Sequence, residues 1–238
     1  DKLSKGRRAM AHLIHLWHER NGWSHKVLPL LSEILDLGRV HNSQISNLRN
    51  GKLASPGPEV FLALAQVNTI LDQGVESIRD QLEGNHPELL KSLQDSAVPL
   101  RNDSGDPLTA GELFEIFSGL KSLPSSLDWY IEDEEAAALS FALSEHFCKN
   151  RPWRSCKSHI MNAYSVSKSP RRERFVEVIA GIRDYTAEEL DGELLDLYET
   201  SKKLSYFSGG GPNAFLKELR NLALEKNIII DSSSNEKL

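Results

Sequence analysis

Residues 24–65 constrain the fold most strongly, because they place two short helical patterns on either side of a glycine-containing turn. The first pattern repeats apolar residues at helical spacing and ends at Leu37-Gly38. The second covers residues 42–50, where Ile45 and Leu48 lie three positions apart and the remaining side chains are small, amide-bearing or basic. Two helices joined in this way, the second with a polar outer face, are typical of a helix-turn-helix.

The second pattern and the residues after it also resemble a known family. The ordered set Ile45-Ser46, Gly51-Lys52, Pro56 and Leu64-Ala65 is similar to the lambda-repressor-like (Xre-type) helix-turn-helix DNA-binding domain. The resemblance covers under a third of the chain and implies an N-terminal five-helix domain. The sequence departs from the family at Arg49, where a Glu that stabilises the domain internally is usual, and in a turn that is about one residue longer.

The resemblance and the side-chain chemistry together name candidate DNA contacts. An amide side chain can pair with adenine through two hydrogen bonds in the major groove, so Gln44 and Asn47 are the preferred base readers. The full set of predicted base contacts is Asn42, Ser43, Gln44 and Asn47. Phosphate contacts, which fix register without reading sequence, are expected at Ser24, His25, Arg39, Arg49 and Lys52. The alternative is a helix-turn-helix-derived adaptor that binds a protein and leaves this polar face solvated.

The charge is distributed unevenly along the chain. Residues 1–70 carry nine Lys and Arg against five Asp and Glu, so this part has a net charge of +4 while the chain as a whole has −6. A basic first domain on an acidic chain is expected of a phosphate-contacting module joined to a domain that does not bind DNA.

Helical periodicity predicts an all-α protein in three parts. These are a helix-turn-helix domain over residues 1–84, a linker or short helix plus loop over 85–110, and a helical dimerisation or sensing domain over 111–238. Within them we expect helices over residues 5–20, 58–66, 69–82, 127–149, 155–165, 170–184, 187–206 and 213–226. Ser24 is expected to cap the second helix, residues 95–107 to form a polar linker or surface loop, residues 228–230 a short strand, and residues 231–238 a frayed tail.

Several groups of residues have both a chemical and a structural interpretation. His12, His15 and His18 follow one line of the first helix and form either a metal site or a polar edge. Cys148 and Cys156 are either small core residues or a redox or metal pair, and two cysteines make no disulfide framework. The basic cluster over residues 168–174 contacts an acidic partner or DNA, or pairs with nearby Glu. The Gly-rich run at 209–211 is a phosphate loop or a hinge.

We favour the structural interpretation in each case and therefore predict no cofactor, no metal site, no catalytic residues and no enzymatic activity. The sequence predicts a transcriptional regulator that binds double-stranded DNA as a homodimer. A single domain with few phosphate contacts binds DNA weakly, so two copies are needed, and the second half is expected to supply dimer contacts or to bind a protein partner. The opening Asp1-Lys2-Leu3 carries no apolar signal core, and no apolar run is long enough to span a bilayer, so we expect a cytoplasmic protein without a membrane segment.

Overall fold

A computed structural model describes residues 2–38, 40–52, 55–95 and 97–226 of the chain. Over these ranges the regular secondary structure is helical, with no β-strand and one isolated antiparallel bridge between Arg101 and Pro107. The all-α prediction is therefore confirmed. The predicted strand at 228–230, the predicted tail and Arg39 lie outside the described residues. None of the described helices combines the length and the apolar character that crossing a membrane requires.

The chain divides into two compact units, Asp1–Asp128 and Trp129–Leu238. The helices of the first unit are α1 (Lys2–Asn21), α2 (Val27–Ile34), α3 (Asn42–Arg49), α4 (Pro58–Gln73), α5 (Arg79–Glu83), α6 (Pro87–Asp95) and α7 (Ala110–Ser118), with a 3₁₀ turn at Val75–Ile78. Those of the second unit are α8 (Ala136–Cys148), α9 (Trp153–Ala163), α10 (Ser169–Ile179), α11 (Ala187–Lys203) and α12 (Gly211–Glu225), with a 3₁₀ turn at Asp133–Glu135.

The position of α7 places the domain boundary later than the sequence predicts. Helix α7 packs against α1 and α4 of the first unit, although we assigned it to the second domain. The main chains approach so closely that a Cβ atom at Gly6 of α1 would lie 2.3 Å from the carbonyl oxygen of Phe117. Only glycine permits this approach. The boundary therefore follows Asp128 and does not lie within residues 85–110.

The predicted linker is a segment fixed to two helices, and we call residues 97–108 the strap. Asn21 at the end of α1 accepts a hydrogen bond from the Val98 N–H (2.7 Å) and donates one to the Val98 carbonyl (3.1 Å). Asn68 of α4 makes the same pair of bonds with Leu100, at 2.7 Å and 2.8 Å. Two buried amides thus bind alternate residues of the strap much as a neighbouring β-strand would.

Two predicted helix boundaries were wrong. Helix α4 continues through Asn68 to Gln73, so the two helices expected over 58–82 are one longer helix followed by the 3₁₀ turn and α5. The long helix expected over 127–149 begins only at Ala136. Before it, Trp129 and Ile131 are buried and Tyr130 and Glu132 are exposed. This alternation is the burial pattern of an extended chain.

A buried ion cluster joins α10 to α11 in the second unit. The guanidinium of Arg171 donates two parallel 2.7 Å hydrogen bonds to the Glu193 carboxylate and another of 2.7 Å to Asp196. The Tyr164 hydroxyl also donates to Glu193, at 2.8 Å. Arg171 and Glu193 are 3% and 1% exposed, so the pair is almost fully removed from water.

The other arginines of the predicted basic cluster also bond within the second unit. Arg172 donates to the carbonyl of Val166 at 2.8 Å, and Arg174 lies 3.2 Å from the Glu189 carboxylate. The interpretation in which this cluster pairs with nearby Glu therefore agrees with the structure at Arg171 and Arg174.

Candidate nucleic-acid interface

Helix α3 is held in the first unit by its two apolar residues. Ile45 and Leu48 are 0% and 2% exposed, and α3 packs against α1 and α2. Because both side chains point inward, the opposite side of the eight-residue helix faces solvent. The three-residue spacing of Ile45 and Leu48 therefore gives α3 one buried side and one polar side, as expected.

Three of the four predicted base readers lie on the exposed side of α3. Asn42, Ser43 and Asn47 are exposed, and Ser43 and Asn47 are four positions apart, which places them one above the other on the helix surface. Their amide and hydroxyl groups can each donate and accept hydrogen bonds, so this face can pair with either kind of group on a base edge.

Gln44 has a structural role that the sequence analysis did not assign to it. Its side-chain Oε1 accepts a hydrogen bond of 2.8 Å from the main-chain N–H of His41, which precedes α3 with an extended backbone. Gln44 thus satisfies the main-chain donor of the residue before the helix, which is the role of the third helical residue in a capping box. Gln44 is half-buried, so Asn47 is the better placed amide for reading a base.

Arg49 is turned toward α1 within the first unit. Its Nε donates to Nδ1 of His15 at 3.1 Å, and its Nη2 lies 3.6 Å from Oε1 of Glu19. The bond from Arg49 requires His15 Nδ1 to be the acceptor, so a neutral His15 carries its proton on Nε2. Arg49 therefore joins α3 to α1, at the position where the resembling family usually has an acidic residue with an internal role.

The other predicted phosphate contacts that the structure describes lie outside α3. Ser24, His25 and Lys52 are exposed. Ser24 is not the N-cap of α2: that helix begins at Val27 after Lys26, and the Ser24 hydroxyl accepts a long 3.4 Å bond from the Lys26 N–H. Ser24 bonds to the first turn only through its main chain, where its carbonyl oxygen accepts from the Val27 N–H at 3.1 Å, and its hydroxyl does not act as a cap.

A groove of about 720 Å³ lies between α2 and the start of α3, and no pattern in the sequence indicates it. Its lining includes Lys26, Leu30, Glu33, Asp36 and Asn42. Because two carboxylates border it, the groove repels phosphate more than the outer face of α3 does. Of these two surfaces, the outer face of α3 is therefore the more favourable for an anionic backbone.

The histidines of α1 bond to main-chain oxygens, which favours a structural role. His18 is fully buried with Nδ1 2.6 Å from the Ile14 carbonyl oxygen, and His12 lies 3.2 Å from the Leu127 carbonyl oxygen through Nε2. Burial lowers the pKa of each imidazole to about 4, so both are neutral at pH 7. The partly exposed polar edge that we predicted therefore agrees with the half-buried His12, whereas His18 is fully buried.

Comparison with known proteins identifies two families along this chain. Residues 136–228 match the family described as "Domain of unknown function (DUF8645)", and residues 1–119 match the family described as "Domain of unknown function (DUF8644)". No curated protein and no solved structure matches. The match over residues 1–119 covers half of the chain and includes the strap and α7. The chain therefore belongs to the DUF8644 family.

Proposed function

We propose that this protein is a sequence-specific DNA-binding transcriptional regulator that inserts α3 into the major groove of double-stranded DNA. The observation that carries the proposal is the arrangement of α3, which buries Ile45 and Leu48 and exposes Asn42, Ser43 and Asn47. A short helix with an exposed row of amide and hydroxyl groups, preceded by a second helix and a turn, fits the geometry of major-groove recognition.

Asn47 and Ser43 are the central base-reading residues in this proposal. The Asn47 amide can donate to N7 and accept from N6 of adenine, and the Ser43 hydroxyl can bond to donors or acceptors. Lys52 follows α3, while His25 and Lys26 precede α2, so exposed basic side chains lie at the boundaries of both helices. These side chains contact phosphates and set the position of α3 on the duplex.

Two copies of the chain are required for tight binding in this mechanism. Arg49 is bonded to α1, which leaves few cations on the α3 surface to neutralise phosphates. A small number of phosphate contacts gives weak binding, because each contact adds its own increment of affinity and of salt dependence. A homodimer would present two α3 helices about 34 Å apart, one turn of DNA, to the two halves of a palindrome.

Selection of duplexes from a random library, followed by titration of the enriched duplex, tests this proposal. Replacing Asn47 with Ala should weaken binding to the selected duplex by about 10-fold or more and leave binding to unrelated duplexes unchanged. The matched control is Gln66→Ala, which removes an exposed amide from α4. Equal affinity of the wild type and the Asn47 variant for the selected duplex would contradict base reading by α3.

Lys52→Ala separates phosphate contact from base reading. Because a phosphate contact carries no sequence information, this variant should weaken binding to every duplex alike and reduce the slope of log K against log salt by about 1. A loss confined to the selected duplex would contradict the assignment of Lys52 to the phosphate backbone.

The adaptor alternative is favoured by two observations, the bonding of Arg49 to α1 and the carboxylates of Glu33 and Asp36 in the groove beside α3. Both reduce the attraction of this surface for an anionic polymer. Failure of the library to enrich any duplex, together with the absence of salt-dependent binding, would exclude DNA as the partner and favour this second function.

A further inference from the structure

The two cysteines of the chain lie beside each other in the second unit. Cys148 is the last residue of α8, Cys156 lies in the first turns of α9, and their Sγ atoms are 3.2 Å apart. The sequence contains no other cysteine. Both thiols are buried, at 5% and 1% exposure. The sulfurs are therefore aligned with each other by the fold and have no competing thiol within the chain.

The turn between the two helices is exposed, although the thiols on either side of it are buried. Residues 149–152 are exposed, and Lys149 and Asn150 have φ angles of 49° and 60°. Non-glycine residues adopt this left-handed conformation infrequently, so the turn is held in a defined shape. Cys156 Sγ also lies 3.4 Å from the Trp153 carbonyl oxygen, which places the thiol against the first turn of α9.

We infer that Cys148 and Cys156 form a reversible dithiol–disulfide site that a hydroperoxide oxidises to an intrachain disulfide. A disulfide needs a sulfur separation of about 2.0 Å, so the two sulfurs must approach by about 1 Å. The exposed turn can supply this displacement by moving the start of α9 relative to the end of α8. The reaction goes beyond the proposed DNA binding, because it concerns a different unit of the chain.

The reaction is balanced with hydrogen peroxide as the oxidant. One cysteine loses its proton, and its thiolate attacks a peroxide oxygen; the O–O bond breaks, and the departing hydroxide takes up a proton to give water. The second sulfur then displaces the hydroxyl of the sulfenic acid, forming the S–S bond and a second water. The two sulfurs are oxidised, and one peroxide is reduced to two waters.

Burial sets the rate of this reaction. It raises the pKa of the Cys148 thiol to about 12, so little of that thiol is ionised at neutral pH. Because the thiolate is the reactive form, oxidation should be slow at pH 7 and should accelerate as the pH rises.

Intact mass and tryptic mapping of the full folded chain provide the test. After peroxide treatment the wild type should lose two hydrogens, and peptide 122–149, which holds Cys148, should be joined to peptide 155–157, which holds Cys156. Trypsin cuts at Lys149 and Arg154, and neither peptide contains methionine, so methionine oxidation does not interfere. Reduction with a dithiol should separate the two peptides.

The single variants Cys148→Ser and Cys156→Ser are matched controls, since each keeps one thiol and neither can form the linked species. Oxygen addition to either cysteine of the wild type, without linkage, would overturn the inference. So would linkage that forms only in urea, because the native fold would then not bring the thiols together.

Oxidation should also change the stability of the chain. A disulfide that closes so short a loop lowers the unfolding equilibrium constant by a factor on the order of 100 in the chain-entropy model. The urea midpoint of the oxidised wild type should therefore exceed that of the reduced protein, and the double variant Cys148→Ala/Cys156→Ala should not respond to peroxide. A linked protein with an unchanged or lower midpoint would show that the fold does not accommodate the bond, and the inference would be overturned.

Discussion

Replacing Asn68 with Ala should detach the strap from α4. Asn68 is 1% exposed, and its side chain accepts from the Leu100 N–H at 2.7 Å and donates to the Leu100 carbonyl at 2.8 Å. After the substitution the Leu100 N–H has lost this acceptor, whereas the Leu100 carbonyl still accepts from the Leu108 N–H at 2.9 Å. The two short bonds that are lost therefore have unequal effects, and a third, from the Asn68 Nδ2 to the Leu108 carbonyl oxygen, is long at 3.4 Å.

The expected destabilisation is the sum of these two effects. A buried donor left without a partner costs about 1–3 kcal/mol, and an ordinary hydrogen bond that is lost with its acceptor otherwise satisfied costs about 0.5–1.5 kcal/mol. Asn68→Ala should therefore lower the free energy of unfolding by about 1.5–4.5 kcal/mol, a large fraction of the stability of a typical domain.

Urea unfolding of the full chain, followed by tryptophan fluorescence and circular dichroism, measures this change. The first unit contains Trp17 and Trp23, and the Trp17 Nε1 donates to the Val98 carbonyl at 2.9 Å, so fluorescence reports directly on the strap. Gln66→Ala, an exposed amide two residues earlier on α4, is the control and should change stability by less than about 0.5 kcal/mol. A loss in Asn68→Ala no larger than that of the control would refute the reasoning and restore the linker interpretation.

Two further predictions concern buried charge and pH. Glu193→Ala leaves Arg171 buried without its main partner and should lower the free energy of unfolding by about 3–5 kcal/mol. The control Glu199→Ala, at an exposed ion pair, should lower it by less than about 1 kcal/mol. Equal urea midpoints for the two variants would contradict the role of the buried cluster. The pKa of His12 and of His18 is lowered by burial to about 4, so below pH 6.5 the unfolded chain binds more protons than the folded one. Stability should then fall as the pH drops from about 6.5 to 4, by up to about 3 kcal/mol for each imidazole, and His18→Gln should reduce this slope in urea titrations at several pH values. A slope unaffected by the variant would show that His18 does not titrate as described.

The sequence predicted those features that depend on neighbours within a few residues. Apolar spacing identified α1, α2 and α3 and the buried pair Ile45 and Leu48, because a helix brings residues three and four apart onto one side. The exposed positions of Ser43 and Asn47 follow from the same geometry, whereas Asn42, three positions before Ile45, is exposed at the first position of the helix. The all-α class and the polar face of the candidate site were therefore available from the sequence.

Tertiary structure alone decided the partners of residues that are distant in the chain. Asn68 and Leu100 are 32 positions apart, and Arg49 and His15 are 34 apart, so no local spacing reveals that they bond. The sequence of the strap shows a polar stretch with prolines, which is typical of a linker, but not the buried amides that bond to its main chain. For this reason the sequence predicted neither the strap nor the boundary after Asp128.

The sequence by itself thus determined the helices and the side that each one buries, because those depend on a periodicity shared by neighbouring residues. The fold decided which buried polar groups satisfy one another, because a hydrogen bond depends on distance in space and not on separation along the chain.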